Sequence, residues 1–428
     1  VSAGVGSTEP AKSEGAGFAG AGSGKLKDRR LATLLVAEVI SSMGTQMTWI
    51  ALPWFVLRTT GSPQRMTWVL VAEIVPVALT GFWGGAIAGR IGTRRTMLIA
   101  DLARVPLFAA IPALHAVGLL PFPALLALVA ASGVFLSPYM TVQRTVVPEL
   151  IGEEHADVAE ATALFQAANR TTIFLGPPLA GVLIGFVGAS NILYIDAATY
   201  LVSFVLVGLF VHPPEIEVPE DEHGVLEGFR FIGGDKLLRV WIPALNTVDI
   251  CWISFFACLP VLVVSRYDAS AHVLGFIFGG LGGGALVGAL VALRIVRHVE
   301  PLKTTAVCFI CQIAALWAVA APAPWPIAVA GMAGAGFFMS LVNSPMQALM
   351  MLRIPRDLRT QTMAVSAVVT CAGAPLALIG AGWALTHFST RAVLGVVLAV
   401  QTTAILAVVA GAFAERSTLA AAALDSPA

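Results

Sequence analysis

The sequence predicts an all-α polytopic membrane protein, with twelve transmembrane helices in two six-helix pseudo-repeats around a central cavity. Three observations carry this. Of 428 residues, 57% are hydrophobic and only 12% are charged, about half the share of charge that a water-facing surface needs, and the mean hydropathy is +0.86. Apolar runs long enough to cross ~30 Å of hydrocarbon recur along the chain. The longest polar interruption falls between the sixth and seventh of them.

The same numbers exclude other classes. Lys+Arg and Asp+Glu are balanced at 25 each, whereas a nucleic-acid binder shows a basic excess. Five scattered cysteines in so long a chain do not make a disulfide scaffold. Residues 1–30 are rich in Gly, Ala and Ser and end in the basic "KLKDRR". No apolar run precedes that charge, so they read as a disordered cytoplasmic tail and not as a cleaved signal peptide.

The predicted spans are 31–57, 66–88, 96–118, 121–142, 157–187 and 190–211 in the first half. In the second they are 239–264, 271–296, 301–320, 325–347, 361–386 and 390–413. Six-helix bundles at 31–211 and 239–414 follow, joined by a linker at 212–238 and closed by a tail at 415–428. The halves echo one another at an offset of about 200 residues, the mark of a parallel repeat. "GGAIAGRI" at 84–91 matches "GALVALRI" at 288–295, and "GPPLAG" at 176–181 matches "GAPLAL" at 373–378.

With the N-terminus inside, nineteen Lys and Arg face the cytoplasm, and only Arg58, Arg65, Arg266 and Arg391 lie outside. The positive-inside rule then places both termini in the cytoplasm of a cell membrane. Scarce lysine beside many arginines and alanines suggests a bacterial source.

"GGAIAGRIGTRR" between spans two and three resembles the signature loop of the major facilitator superfamily, G-x-x-x-D-R-x-G-x-R-R. Gly85, Arg90, Gly92, Arg94 and Arg95 match, and Gly89 replaces the aspartate. "SSMGTQMTWIALPWFVLRTTGSP" at 41–63, "ADLAR", "VVPEL", "GPPLAG" and "LEGFRFI" resemble the exporter branch that holds macrolide-efflux and enterobactin-exporter proteins. The resemblance covers residues 28–414. It implies a drug or siderophore-like cargo, efflux and drug resistance.

In that family the aspartate helps latch the halves on the cytoplasmic side. Asp101 and Arg104, three apart on one face of span three, are candidates to replace it through an ion pair with Arg90 or Arg94. Gly85 and Gly92 permit close packing and a tight turn. "GPPLAG" resembles part of the antiporter motif G-x-x-x-G-P-x-x-G-G. Gly176, Pro177 and Gly181 match, while Thr172 and Ala180 replace glycines. Read without the family, these are topology charges and a simple proline kink.

The candidate chemistry lies in charges inside apolar spans, each costing ~2.5–3.5 kcal/mol at mid-helix. Glu38, Ser41, Ser42, Thr45, Gln46 and Trp49 form a polar stripe on span one that is expected to face an internal cavity. Glu73 lies on span two, and Asp249 sits ~15 Å into span seven, near the midplane where transporter sites cluster. Glu38, Asp249 and Glu73 are thus candidates for proton coupling. Thr45, Gln46, Trp49, Gln166, Asn169, Arg170, Asn246, Trp252 and Phe256 are candidates for a substrate cavity. Asp196 lies on span six, and it and Glu73 are as well explained by a buried structural ion pair or hydrogen bond.

Other patterns are set aside. Cys308-x-x-Cys311 lies in an apolar span without a second pair. "GGLGGGALVG" at 279–288 follows no strand and reads as helix packing through Gly280, Gly284 and Gly288. No phosphate-binding G-x-x-x-x-G-K-[ST] occurs, and His115, His272 and His387 lack metal-ligand spacing.

The reading is a monomeric, cofactor-free secondary transporter exporting a small amphipathic or hydrophobic compound by proton antiport. An importer or uniporter on the same fold is the alternative. A membrane enzyme or sensor is less favoured, because no catalytic cluster or soluble domain appears.

Overall fold

The computed structural model describes residues 29–151, 155–211, 225–267, 271–295, 300–355 and 358–424. The first half is α1 (Arg29–Thr60), α2 (Pro63–Ile91), α3 (Thr93–Ala116), α4 (Phe122–Ile151), α5 (His155–Val187) and α6 (Ala189–Phe210). A short α7 (Val225–Gly234) follows. The second half is α8 (Leu238–Arg266), α9 (Ala271–Ile295), α10 (Pro301–Ala320), α11 (Trp325–Arg353), α12 (Arg359–His387) and α13 (Thr390–Leu424). Ten of these have the length and apolarity to cross a membrane; α1 and α2 complete twelve, with 32 and 29 residues.

The two halves repeat one packing scheme. In the first, α2 packs on α4, α1 on α5 and α6, and α3 on α4 and α6. In the second, α9 packs on α11, α8 on α12 and α13, and α10 on α11 and α13. Each pair is its counterpart seven elements on. Between the halves, α5 lies on α9 and α2 on α12, the same exchange made twice about a pseudo-two-fold axis.

Small residues set these distances. A Cβ on Gly284 or Gly288 of α9 would meet the backbone of Ala333 or Phe337 on α11. The glycine run at 279–288 is therefore a packing seam. Where the halves meet, Gly181 of α5 lies against Gly275 of α9, and Gly382 of α12 lies against Thr67 of α2. Leu70, Ala257 and Leu378 form a small apolar cluster nearby. The Gly181–Gly275 and Gly382–Thr67 contacts and this cluster lie toward the end of the bundle opposite the two chain termini, and they seal it.

Two features go beyond the sequence reading. The 212–238 linker contains a helix, α7 at 225–234, which packs on α12. "VLEGFRFIGG" places Phe229, Arg230 and Gly233 outward while Ile232 is buried. Asp235 accepts hydrogen bonds from the Leu237 and Leu238 amides at 2.9 and 3.0 Å and pairs with Arg353 at 2.9 Å. The second difference is α13, which runs to Leu424, past the predicted end at 414, because "TLAAAAL" is strongly helix-forming. Residues 1–28 and 212–224 lie outside the described residues.

Candidate functional site

Three polar or hollow features stand apart inside the bundle. The first is a buried network within the first half. Glu38 of α1 is 1% exposed. Its carboxylate accepts from Ser42 at 2.6 Å, Tyr139 of α4 at 3.0 Å, Asn169 of α5 at 3.4 Å, and the Gln143 amide. Four side-chain donors thus converge on one carboxyl group. Beside it Arg104 of α3, 2% exposed, lies 3.8 Å over the Tyr200 ring and 5.8 Å over that of Tyr139. Arg104 donates to the Tyr200 hydroxyl and, at 3.2 Å, to Thr45. Tyr200 donates onward to Asp196 at 3.1 Å, and Thr48 donates to Asp196 at 2.6 Å. Both oxygens of Asp101 are buried without a hydrogen-bond partner among the described residues. Glu73 is buried too, within electrostatic reach of Arg104 and Asp196. Four carboxylates thus surround one guanidinium in a low-dielectric interior.

The second feature is a cavity of about 160 Å³ between the halves, beneath the seal. Gln46, Trp49 and Pro53 of α1, Pro177 of α5, and Phe256 and Pro260 of α8 line it, with Ile, Leu, Ala and Phe side chains closing the rest. Gln46 is its polar member. Pro53, Pro177 and Pro260, inside α1, α5 and α8, stand on its wall, each removing a backbone N–H from its helix.

The third is a cavity of about 250 Å³ inside the second half, bounded by α8, α10, α11 and α12. Asp249, Gln312, Asn343 and Ser366 face it, among Trp252, Phe309 and four methionines.

The polar stripe of α1 is therefore divided. Gln46 and Trp49 reach the cavity between the halves, but Glu38 and Thr45 turn into the first half's own network. The stripe was expected to face one cavity throughout. It does not, because toward the terminal end α1 is flanked by α4 and α5, whose Tyr139, Gln143 and Asn169 solvate the carboxylate. Asn169 belongs to that network. Asn246 accepts from Ser366 at 2.5 Å and Thr370 at 3.4 Å, and Trp252 lines the second half's cavity. Gln166 is exposed, and the Arg170 side chain lies outside the described residues. The structure thus brings Gln46, Trp49, Phe256 and Pro177 together at the interface and disperses the others.

The α2–α3 loop is tied into its own half. Gly92 has φ +88°, a turn that only glycine makes without strain. Thr93 donates to Glu149 of α4 at 2.8 Å, and Arg94 donates to the Gly208 carbonyl of α6 at 2.5 Å. Asp101 pairs with neither Arg90 nor Arg94, contrary to the ion pair expected from sequence. It is one helical turn or more inside the bundle, among Arg104 and Ser203, while Arg90 and Arg95 are exposed. The backbone at Gly176 permits close approach of Gln46, and that at Gly181 permits the seal with Gly275. Side-chain surroundings at Gly85 are outside the described residues.

Sequence reading missed Tyr139, Gln143, Tyr200 and Gln312. Tyr139, Tyr200 and Gln312 are hydrogen-bonding groups within apolar runs, a signal that also picks out Asn169 and Asn246, whereas Gln143 stands beside Thr141 and Arg144 just past the predicted end of its span.

Known proteins share this architecture. The chain is 26% identical over 368 residues to the multidrug efflux pump Tap of Mycolicibacterium fortuitum, covering 82% of this chain and 88% of that one. Tap of Mycobacterium tuberculosis is 26% identical over 372 residues, covering 82% and 85%. The solved structure of the nucleoside transporter NupG superposes with a TM-score of 0.71 at 12% identity, covering 90% of this chain and 99% of that one, a likeness of fold. The model of the Major Facilitator Superfamily matches residues 34–378. With that match across most of its length and two six-helix halves closing on a shared cavity, this chain belongs to the Major Facilitator Superfamily.

Proposed function

We propose that this multi-pass membrane transporter exports a small amphipathic or hydrophobic compound in exchange for protons, by alternating access of its two halves. The apolar cavity at the interface carries the reading. Its aromatic, proline and aliphatic walls with a single amide favour a cargo bound by burial and shape over one held by many hydrogen bonds. Similarity to multidrug efflux pumps over four-fifths of the chain supports the outward direction. So does the Gly176-Pro177 segment of α5, which lines the cavity and resembles the antiporter motif.

Both termini lie in the cytoplasm in this reading, so the sealed end faces outward and cargo enters from the inside. Transport requires the α5–α9 and α2–α12 contacts to part while the opposite ends close. Protons bias that exchange through carboxylates whose charge state differs between the two arrangements. Glu38, Glu73 and Asp249 are the coupling candidates, with Asp101 and Asp196 added by the network around Arg104. One chain encloses the whole cavity, which supports a monomer as the working unit.

The test is substrate efflux from proteoliposomes with and without an imposed pH gradient, at matched protein levels. Glu38→Gln, Glu73→Gln and Asp249→Asn keep size but cannot ionise. At least one should abolish gradient-driven export while leaving downhill exchange measurable. Uphill pumping at the wild-type rate by all three, and by the Glu38→Gln/Asp249→Asn double variant, would exclude these carboxylates as the coupling site. Movement of every tested compound without regard to the gradient would remove proton antiport itself.

A further inference from the structure

We propose that Gln46 of α1 selects the cargo by accepting a hydrogen bond from it, so that a neutral carboxamide or lactam is preferred over an ester of the same shape, and that Gly176 of α5 positions Gln46 for this task. The inference deepens the proposed function and rests on its placing of the cargo in the cavity between the halves.

The wall of that cavity offers one side chain able to accept a hydrogen bond. Trp49 can only donate, through its indole N–H, and apart from Gln46 every other lining side chain is aliphatic, proline or phenylalanine. Among the described residues no ionisable side chain lines the cavity, and an unpaired charge is expensive to bury, so the group that enters is neutral. Gln46 is half-buried on this wall, and among the described residues its amide makes no hydrogen bond. The amide oxygens of Gln312 and Gln401 are closed off in the interior; that of Gln46 is not. A carbonyl on the cargo can be met by Trp49 or by the Gln46 NH₂, but an N–H or O–H on the cargo has Gln46 alone among the side chains.

The contact with α5 gives the second, independent indication. A Cβ at position 176 would overlap the Cβ of Gln46 and come within 3.4 Å of its Cγ and 3.5 Å of its carbonyl carbon. The obstacle is the root of the Gln46 side chain, which cannot swing aside as a flexible end can. Glycine at 176 therefore sets how closely α5 approaches α1 at this level, and with it where the amide stands. The next residue, Pro177, lines the cavity and carries no N–H, so the carbonyl four residues earlier, that of Ile173, lacks its helical donor. Ile173 lines the cavity too, which adds a backbone acceptor on the same stretch of α5. The Gly-Pro pair, a kink when read from sequence, thus serves recognition.

The remaining wall suits a flat apolar body. Trp49, Phe256 and Phe278 offer aromatic rings, and Phe256 stands 5.6 Å from Phe278. The cavity of about 160 Å³ lies below the roughly 300–1,000 Å³ of pockets that enclose a drug-sized ligand. It takes one ring system with its amide, or that end of a longer molecule.

The experiment is calorimetric titration of the full chain in lipid nanodiscs, without any gradient and with empty nanodiscs as the blank for partition into lipid. The probes are 2-naphthamide and methyl 2-naphthoate, which share ring and carbonyl and differ in the N–H. Wild type should bind the amide at least fivefold more tightly. Gln46→Leu should abolish that preference and keep ester binding within twofold, which also shows that the variant is folded. Gly176→Ala should weaken amide binding several-fold and ester binding less than twofold, a split that a loss of packing alone does not produce. If Gly176→Ala loses both probes, the exchange Gly176→Ala/Gln46→Gly, which removes the opposing Cβ, should recover ester binding without the amide preference. Equal binding of the two probes by wild type, binding of neither, or a preference that survives in Gln46→Leu overturns the selection by Gln46. Unchanged binding in Gly176→Ala, or a loss of both probes that the exchange does not repair, overturns the positioning by Gly176. Because no gradient is applied, the result is independent of coupling. Amide preference without gradient-driven efflux would overturn the proposed function and leave this site standing, and efflux without the preference would do the reverse.

Discussion

Arg104 is the cation on which the first half's interior depends, and its environment makes its removal asymmetric. It satisfies Tyr200 and Thr45 directly and balances acids on α1, α2, α3 and α6. Taking away one partner of a buried charge group leaves the rest uncompensated, at a cost of about 3–5 kcal/mol. Arg104→Leu should therefore lower the melting temperature and membrane yield sharply, as read by thermal-shift size exclusion in detergent. Wild-type stability in that variant would mean that the surrounding carboxylates need no counter-charge. Gly89 makes the opposite case. It lacks the family aspartate, yet a Cβ there meets no atom within 4 Å and its φ is not in the left-handed region. Gly89→Asp should fold and express as wild type, and Arg90→Ala should do so too because Arg90 is exposed. A turnover loss in Arg90→Ala at equal expression would place the loop in the transport cycle. Unchanged turnover would leave it a topology charge.

Among the elements, α5 and α9 hold the seal and α7 holds the terminal end of the second half. Gly181 and Gly275 approach backbone to backbone, so Gly181→Leu cannot keep the sealed arrangement. Spin labels at positions 186 and 276, exposed on the same two helices, should move apart in that variant, measured in a background without the five native cysteines. Unchanged distances would show that α5 and α9 can absorb a side chain without parting.

The α7 end is held by Asp235. Burial is the largest single influence and pushes its carboxyl up, but the Leu238 amide, the Arg353 hydrogen bond and charge and the Leu237 amide together outweigh it and hold the group below the ordinary carboxylate range. A depressed carboxylate stabilises the fold above its unfolded value and loses that contribution as pH falls through the folded one. The pair is partly exposed, so its worth is about 0.5 kcal/mol. Wild type should melt slightly above Asp235→Asn at pH 7, and the difference should close by the acid end of the carboxylate range. A gap that persists there would assign the stabilisation to packing.

At the scale of the whole molecule, topology is the prediction that all others lean on. With nineteen basic residues on one side, single cysteines placed within 212–238 should resist membrane-impermeant thiol reagents in intact cells. Cysteines at 62 or 119, in the opposite loops, should react. The reverse pattern would invert the transporter and the direction assigned to the seal.

Much of this molecule is written in one dimension. Helix number, the two-half division and most boundaries follow from apolar runs, because a segment in lipid must satisfy its own backbone, and that constraint is local. The tight turn at Gly92 and the packing seam at 279–288 are local in the same way. What α1 does with its polar stripe is not. Helical spacing groups Glu38, Thr45 and Trp49 on one face, but only the neighbours at each level decide which enclosure each enters. Tyr139, Gln143 and Asn169 claim Glu38, Tyr200 and Arg104 claim Thr45, and Trp49 is left for the interface. Asp101 likewise lies within the electrostatic reach of Arg104 and makes no hydrogen bond among the described residues, where the sequence pointed to the loop arginines. The unpaired state of Asp249 and the cavity it lines depend on four helices, whose lining residues run from Ile242 to Ser366, meeting in space, and distances of that range are set by packing alone.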